Sequence, residues 1–279
     1  MLASGCVHAR NACHYCAISH ASQLRCGNER YVRKLIDAYK QFGVNSFYEI
    51  CDDLLGFRSL ICRLKAWSIK FPHFTCYARA SSANSWNIEE LFGLVEPDGH
   101  LKFNIGLDSG DDMILRRGIN KGSGLNENIK IVRLMKEFGI WAHFSFIFGS
   151  PGETKTSCQR TLDFIQWVFD TMGQLIANIE ADIWWVNYGA PCDQIFVDYN
   201  FACHYATMAG KQITYREWQN DFFAYRDSIV VPWEVQKNWY RWFTNIDINY
   251  AEECIAKVRQ GAAQNNTNFG RAYGLADRE

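Results

Sequence analysis

Three cysteines, Cys6, Cys13 and Cys16, lie close together in the run Gly5-Cys6-Val7-His8-Ala9-Arg10-Asn11-Ala12-Cys13-His14-Tyr15-Cys16. Three thiolates on one loop can each hold one iron of a four-iron cluster and leave the fourth iron without a protein ligand. That open iron is the chemical point. An electron-transfer cluster ordinarily has all four irons filled, whereas an open iron can take a small chelating ligand directly. Zinc is the competing reading: Cys13 and Cys16, with His20 and either Cys26 or His8, supply four ligands within zinc-ribbon reach. Plain thiols are the third, and the segment by itself does not choose among them.

The elements that must position such a loop follow from periodicity. Short β-rich runs alternate with longer helical patterns, which implies βα units and a parallel sheet. The expected strands are Leu2–Ser4, Ser46–Ile50, Phe74–Arg79, Leu101–Leu107, Ala142–Phe148 and Ala181–Val186. Helices are expected over Glu29–Phe42 and Asn126–Phe138, each stopped by a glycine (Gly43, Gly139) suited to a left-handed cap, and over Thr154–Met172 with Thr154 as N-cap. Six strands in series suit an open doubly wound sheet or an incomplete barrel. In both, ligands gather at the carboxyl ends of the strands. From about Pro191 the strand rhythm is lost. Aromatic-rich helices such as Tyr215–Tyr225 and Trp233–Phe243 are expected there, then a disordered Gly/Asn/Arg tail after Gln260.

Composition narrows the class. Lys+Arg 29 against Asp+Glu 30 gives a net charge of −1, so nothing global points to nucleic acid or an anionic membrane surface. The most apolar stretch, Ile140 to Phe148, is far short of the roughly 20 residues that cross a bilayer. Eleven cysteines without a leader pattern argue for a reducing compartment, the cytoplasm, where clustered thiols more often bind metal than pair. Cys62, Cys76, Cys203 and Cys254 are scattered in apolar settings and read as inert core residues. The ten tryptophans suit either a heavily lined pocket or simple core filling.

Two later segments settle the reading of the cysteine loop. The first is Ile105-Gly106-Leu107-Asp108-Ser109-Gly110-Asp111-Asp112, running on to Leu115 and Asn120-Lys121-Gly122. The second is the strand Phe144–Phe148 followed by Gly149-Ser150-Pro151-Gly152-Glu153-Thr154. In this order after the cysteine loop, they resemble the radical S-adenosylmethionine (SAM) superfamily over about residues 1–190. The branch they resemble contains the oxygen-independent coproporphyrinogen oxidases, the methylthiotransferases and many cobalamin-dependent methylases. The resemblance implies a partial (β/α)6 TIM-type barrel with a C-terminal helical extension over residues 191–279. It implies a [4Fe-4S] cluster on Cys6, Cys13 and Cys16, with Cys26 in reserve for the first ligand.

By the same resemblance Tyr15 stands beside the adenine of S-adenosylmethionine. The stretch Glu49 to Asp53 meets its amino group, with Asp52 or Asp53 the better partner for an ammonium. Arg79 faces the methionine carboxylate, and Asp108 and Ser109 face the ribose hydroxyls. Gly149, Pro151, Gly152 and Glu153 end the strand where backbone and a tight turn accommodate the adenine. Each position also has a structural role open to it: Asp52-Asp53 as a helix cap, Pro151-Gly152 as an ordinary turn, Arg79 as a surface residue.

The sequence departs from the family in two ways. Six residues separate Cys6 from Cys13 where the family has three. The few residues ahead of Cys6 leave no room in this sequence for the N-terminal cobalamin domain common in that branch, so the expectation is either a piece of a longer protein or a member that works without that domain, with cobalamin itself open as a cofactor. The chemistry implied is reductive cleavage of S-adenosylmethionine to a 5′-deoxyadenosyl radical that abstracts hydrogen from a substrate, as in a methylase or a rearrangement enzyme. A flavodoxin or ferredoxin donor follows, with a small molecule or peptide as substrate. Other readings are a zinc-stabilised binding module and a degenerate partner subunit. The stretch Trp184-Trp185-Val186-Asn187-Tyr188-Gly189 and the helices after it are expected on the substrate side.

Overall fold

The first expected strand forms but stands apart from the rest. In the computed structural model, which describes residues 2–6, 8, 11–17, 25–228 and 230–270, Ala3–Ser4 (β1) pairs antiparallel with Arg25–Cys26 (β2) in a separate two-stranded sheet. The main sheet holds Ser46–Glu49 (β3), Phe71–Tyr77 (β4), Val95–Asp108 (β5), Trp141–Phe148 (β6), Ile176–Ile183 (β7) and Asn268–Phe269 (β8). All pairs are parallel and the order follows the sequence from β3 to β8. A doubly wound sheet reverses its strand order at a switch point. This one does not, so the architecture is the partial barrel.

The sixth strand is therefore not the one expected at the N-terminus. It comes from the segment after Gln260 read as a disordered tail: the helix Ile248–Gln264 runs on into it, and Asn268–Phe269 adds to the edge at β7. A two-residue strand carries too little periodicity to be read locally; it forms because Asn178 Nδ2 donates to Gly270 O and Gly270 N to Ile179 O. Residues 271–279 and His20 lie outside the described residues.

Several helices start where a side chain can accept from the first turn and stop where a left-handed residue releases the chain. The first, α1 (Glu29–Gln41), is capped by Asn28 and ends before Gly43 at φ +66. Next come α2 (Arg58–Ala66), α3 (Ser85–Phe92) and α4 (Leu125–Glu137), the last ending before Gly139 at φ +64. Thr154 caps α5 (Lys155–Met172) by accepting from Ser157 N, as its type and position imply. The C-terminal part adds α6 (Tyr199–Met208), α7 (Tyr215–Asp221), α8 (Trp233–Phe243) and α9 (Ile248–Gln264). Cys62 is exposed on α2, contrary to its reading as a core residue, whereas Cys76 and Cys254 are buried.

Alternate residues of the strands divide the molecule. Phe74, Phe103, Phe144, Phe146 and Phe148 are fully buried, and fill the layer between sheet and helices. The intervening positions are polar: Asn104, Gly106 and Asp108 on β5, His143 and Ser145 on β6, Asn178, Glu180 and Asp182 on β7. Beyond β7 the chain leaves the sheet at Trp184, so the strand expected over Ala181–Val186 both begins and ends earlier, at Ile176–Ile183. Trp184 and Trp239 stack at 5.4 Å, with Tyr205 and Phe243 packed against Trp239. All four side chains are buried.

Candidate functional site

The cysteine loop is held over the carboxyl ends of the strands by one turn, Asn120-Lys121-Gly122. Asn120 Nδ2 donates to Asn11 O and Ala12 O, both at 3.0 Å. His8 Nε2 meets Asn120 O at 2.9 Å, His14 Nδ1 meets Gly118 O at 2.8 Å, and His14 N donates to Ile119 O at 2.8 Å. Asn120 and Gly122 are both in the left-handed region, at φ +56 and +71. A Cβ on Gly122 would lie 2.3 Å from the His8 ring, so only glycine lets the loop settle here.

Below the loop is a cavity of about 310 Å³, within the range of small-ligand sites. Its wall carries Cys6, Cys13 and Cys16 together with His8, Tyr15, Asp52, Tyr77, Arg79, Asn104, Gly106, Asp108, Lys121, Ser145 and Ile147. Cys26 is not among them; it pairs with Ala3 in the small sheet. Among the described residues no three His, Cys, Asp or Glu side chains converge on a single metal-ion position.

Charge in the cavity is tightly organised. Lys121 Nζ lies 2.6 Å from Asp108 Oδ2, both side chains almost wholly buried. Tyr15 donates to the same oxygen at 3.0 Å and accepts from Lys121 Nζ at 3.1 Å. Burial, then the Asp108 carboxylate, pushes the Tyr15 phenol well above its ordinary value, so it acts as a donor. Arg79 donates through Nη2 to Lys121 O and through Nη1 to Cys13 Sγ at 3.6 Å. Its Nε is buried without a partner, as is Asn104 Oδ1, whose own Nδ2 donates to Tyr48 Oη at 2.8 Å. Burial raises the Cys6 thiol, with Arg79 opposing the shift, and raises the Asp52 carboxyl.

The expected site residues thus divide. Cys6, Cys13, Cys16, Tyr15, Asp52, Arg79 and Asp108 meet at one cavity. Arg79 is buried, not a surface residue. Asp53 is turned away: it is fully buried, accepting from Arg79 N at 3.1 Å and from Ser82 Oγ, and so braces the end of β4. Glu49 likewise accepts from Leu2 N and Ala3 N, tying β1 to β3. Ser109 is buried against α5, its Oγ 3.0 Å from Thr161 Oγ1. Asp108 meets the cavity already paired to Lys121, which differs from a carboxylate free to take two hydroxyls.

The Gly149–Glu153 turn does not reach this cavity. Trp239 Nε1 donates to Gly149 O at 3.0 Å, Tyr240 Oη to Phe148 O at 3.0 Å, and Gly152 N to Phe243 O at 2.7 Å. Glu153 accepts from Gly149 N and Ser150 N, and burial pushes its carboxyl up to about 8. Pro151 and Gly152 line a different cavity with His14, Arg116 and Arg117. What meets the first cavity from β6 is the strand just before the turn, at Ser145 and Ile147. Tyr77, Asn104, Lys121, Ser145 and Ile147 were not picked out from sequence. The signal was there in the alternation: residues 104, 106 and 108, and 145 and 147, point the same way.

A sequence-ordered parallel partial barrel with a three-thiol loop over its carboxyl ends is the fold of the radical S-adenosylmethionine superfamily. No family model matches the sequence. The chain is 26% identical to the ribosomal protein uS12 methylthiotransferase RimO of Heliobacterium modesticaldum, over 86% of this chain and 53% of that protein. It therefore spans about half the length of that relative. The radical S-adenosylmethionine methyltransferase TsrM from Kitasatospora setae, solved with cobalamin and a [4Fe-4S] cluster, superposes with a TM-score of 0.52. It is 18% identical over 68% of this chain and 37% of TsrM. SuiB from Streptococcus suis superposes with a TM-score of 0.52 at 12% identity, covering 96% of this chain and 47% of SuiB. The likeness to these structures is one of fold. By their names RimO is a methylthiotransferase and TsrM a methyltransferase. Among the described residues no helix is long and apolar enough to cross a membrane.

Proposed function

We propose that this chain is a radical S-adenosylmethionine enzyme, with Cys6, Cys13 and Cys16 as the ligands of a [4Fe-4S] cluster and the cavity beneath them as the S-adenosylmethionine site. One observation carries the reading: three thiols of one loop share a cavity with Tyr15, Asp52, Arg79, Asp108 and Lys121 at the carboxyl ends of parallel strands. Three thiols on one loop suit one thiolate on each of three irons of a four-iron cluster.

The residues present fit the groups. The unpaired Arg79 Nε and Asn104 Oδ1 are a buried donor and acceptor, and such groups call for a polar partner. Asp52 and Arg79, both on the cavity wall, match the ammonium and carboxylate of an amino-acid moiety. Tyr15, fixed by Asp108 and Lys121, gives an aromatic edge. Ser145 and Ile147 give strand backbone for a flat ring. Bound here, the cluster supplies one electron at low potential, and S-adenosylmethionine supplies the radical that takes hydrogen from a substrate. The chain orients these groups and closes them from water, with residues 191–279 as the substrate-side part beyond the 1–190 core. An external flavodoxin- or ferredoxin-type donor supplies the electron. Methyl transfer or rearrangement, on a small molecule or peptide and with or without cobalamin, are the reactions in view.

Anaerobic reconstitution followed by iron and sulfide counting tests this, with 5′-deoxyadenosine measured after addition of a reductant. About four irons and four sulfides per chain are expected, lost in Cys13→Ala and Cys16→Ala and kept in Cys62→Ala. One zinc with no acid-labile sulfide ends the reading. A full cluster in Cys6→Ala and none in Cys26→Ala overturns the assignment of the first ligand.

A further inference from the structure

Arg79 stands two residues beyond β4, at its carboxyl end, and its guanidinium reaches the cysteine loop. Three contacts fix it. The backbone N donates to Asp53 Oδ1 at 3.1 Å, which sets the strand end. Nη2 donates to Lys121 O, in the turn that holds the loop. Nη1 donates to Cys13 Sγ at 3.6 Å.

Both partners of the last bond are buried, Arg79 at 8% and Cys13 at 4% exposed. In such a low-dielectric setting a charge-assisted bond is strong. The same positive charge opposes the rise that burial imposes on the Cys6 thiol. A guanidinium is a rigid planar fork, so its donors do not swing independently. With Nη2 on a backbone carbonyl, Nη1 is held on the sulfur. Nε is buried without a partner, so a donor remains for the methionine carboxylate.

We propose that Arg79 raises the reduction potential of the cluster by holding a charge-assisted hydrogen bond on Cys13 Sγ, in addition to positioning the amino-acid moiety of S-adenosylmethionine. This role rests on the proposed cluster at Cys6, Cys13 and Cys16. A thiolate-ligated cluster gains negative charge when it takes up one electron, and hydrogen bonds to its sulfurs are among the factors that fix its potential. A buried cation bonded to a ligand sulfur stabilises the reduced form more than the oxidised one. Removing it therefore lowers the potential.

Potentiometric titration of the reconstituted full chain tests it, with the reduced cluster followed by electron paramagnetic resonance in the absence of S-adenosylmethionine. Iron-loaded Arg79→Gln is expected to shift the reduction equilibrium at least about tenfold towards the oxidised form, a fall of about 59 mV or more for one electron. Arg79→Lys keeps the charge and loses the fork, and is expected to recover part of that fall. A merely structural Arg79 changes iron loading but not the potential of the cluster that forms. A loaded Arg79→Gln at the wild-type potential therefore overturns the proposal. Where Arg79→Gln takes up no iron, pulsed electron paramagnetic resonance of Arg10→Lys made with isotope-labelled arginine decides, since Arg79 is then the arginine bonded to a cluster ligand. A labelled-nitrogen coupling to the reduced cluster supports the role, and no coupling overturns it. A wild-type chain without iron and sulfide removes the proposed function and this role with it, whereas a loaded cluster indifferent to Arg79 removes this role alone.

Discussion

Asp108→Ala tests the interior of the site. Read from sequence, Asp108 is a ribose contact whose loss weakens S-adenosylmethionine binding about ten- to a hundredfold. In the fold it also neutralises Lys121, 2.6 Å away, with the two side chains 2% and 7% exposed. Removing one partner of such a pair leaves a buried charge and costs about 3–5 kcal/mol. At roughly 2–4 °C per kcal/mol for a chain approaching this size, the melting temperature falls by about 6–20 °C. Tyr15 loses its acceptor at the same time. Thermal melts of Asp108→Ala, Lys121→Met and the double variant measure this. The double variant has no orphaned charge, so it is expected to recover most of the loss, a coupling that a purely ligand-contacting Asp108 does not produce. A melting temperature for Asp108→Ala within about 2 °C of wild type, or two single losses that simply add, refutes the reasoning.

Two further outcomes follow from the loops around the site. Gly122→Ala is expected to cut iron loading by more than about half, because its Cβ lies 2.3 Å from the His8 ring. Gly43→Ala, at φ +66 with nothing within 4 Å, is expected to cost only about 1 kcal/mol of backbone strain and no iron. For Glu153, burial raises the folded carboxyl from 4.5 to about 8, so the folded state holds its proton over a range where the unfolded chain has lost it. Stability from this group is therefore complete below about pH 4.5 and declines as pH rises to about 8. Glu153→Gln is expected to flatten that decline; melts of both proteins across this range check it, and parallel curves exclude the effect.

The parts of this protein that depend on near neighbours are legible along the chain. The three-thiol loop, the glycine-stopped helices before Gly43 and Gly139, the Thr154 cap and the sheet's parallel character could all be read within a few residues of the chain. They depend on caps, turns and apolar period, which are local. So was the carboxyl-end placement of Asp52, Arg79 and Asp108, because the face follows from strand direction alone. The remaining features depend on partners far apart in sequence. Asp52 and Asp53 are adjacent and chemically alike, yet one lines the cavity and the other is spent on Arg79 N and Ser82. Asp108 is committed to Lys121 and Tyr15, and the Gly149–Glu153 turn is sealed by α8. β8 becomes a strand only because β7 offers an open edge. A side chain's type limits the bonds it can make, but which one it makes is fixed by what the fold brings within about 3 Å of it.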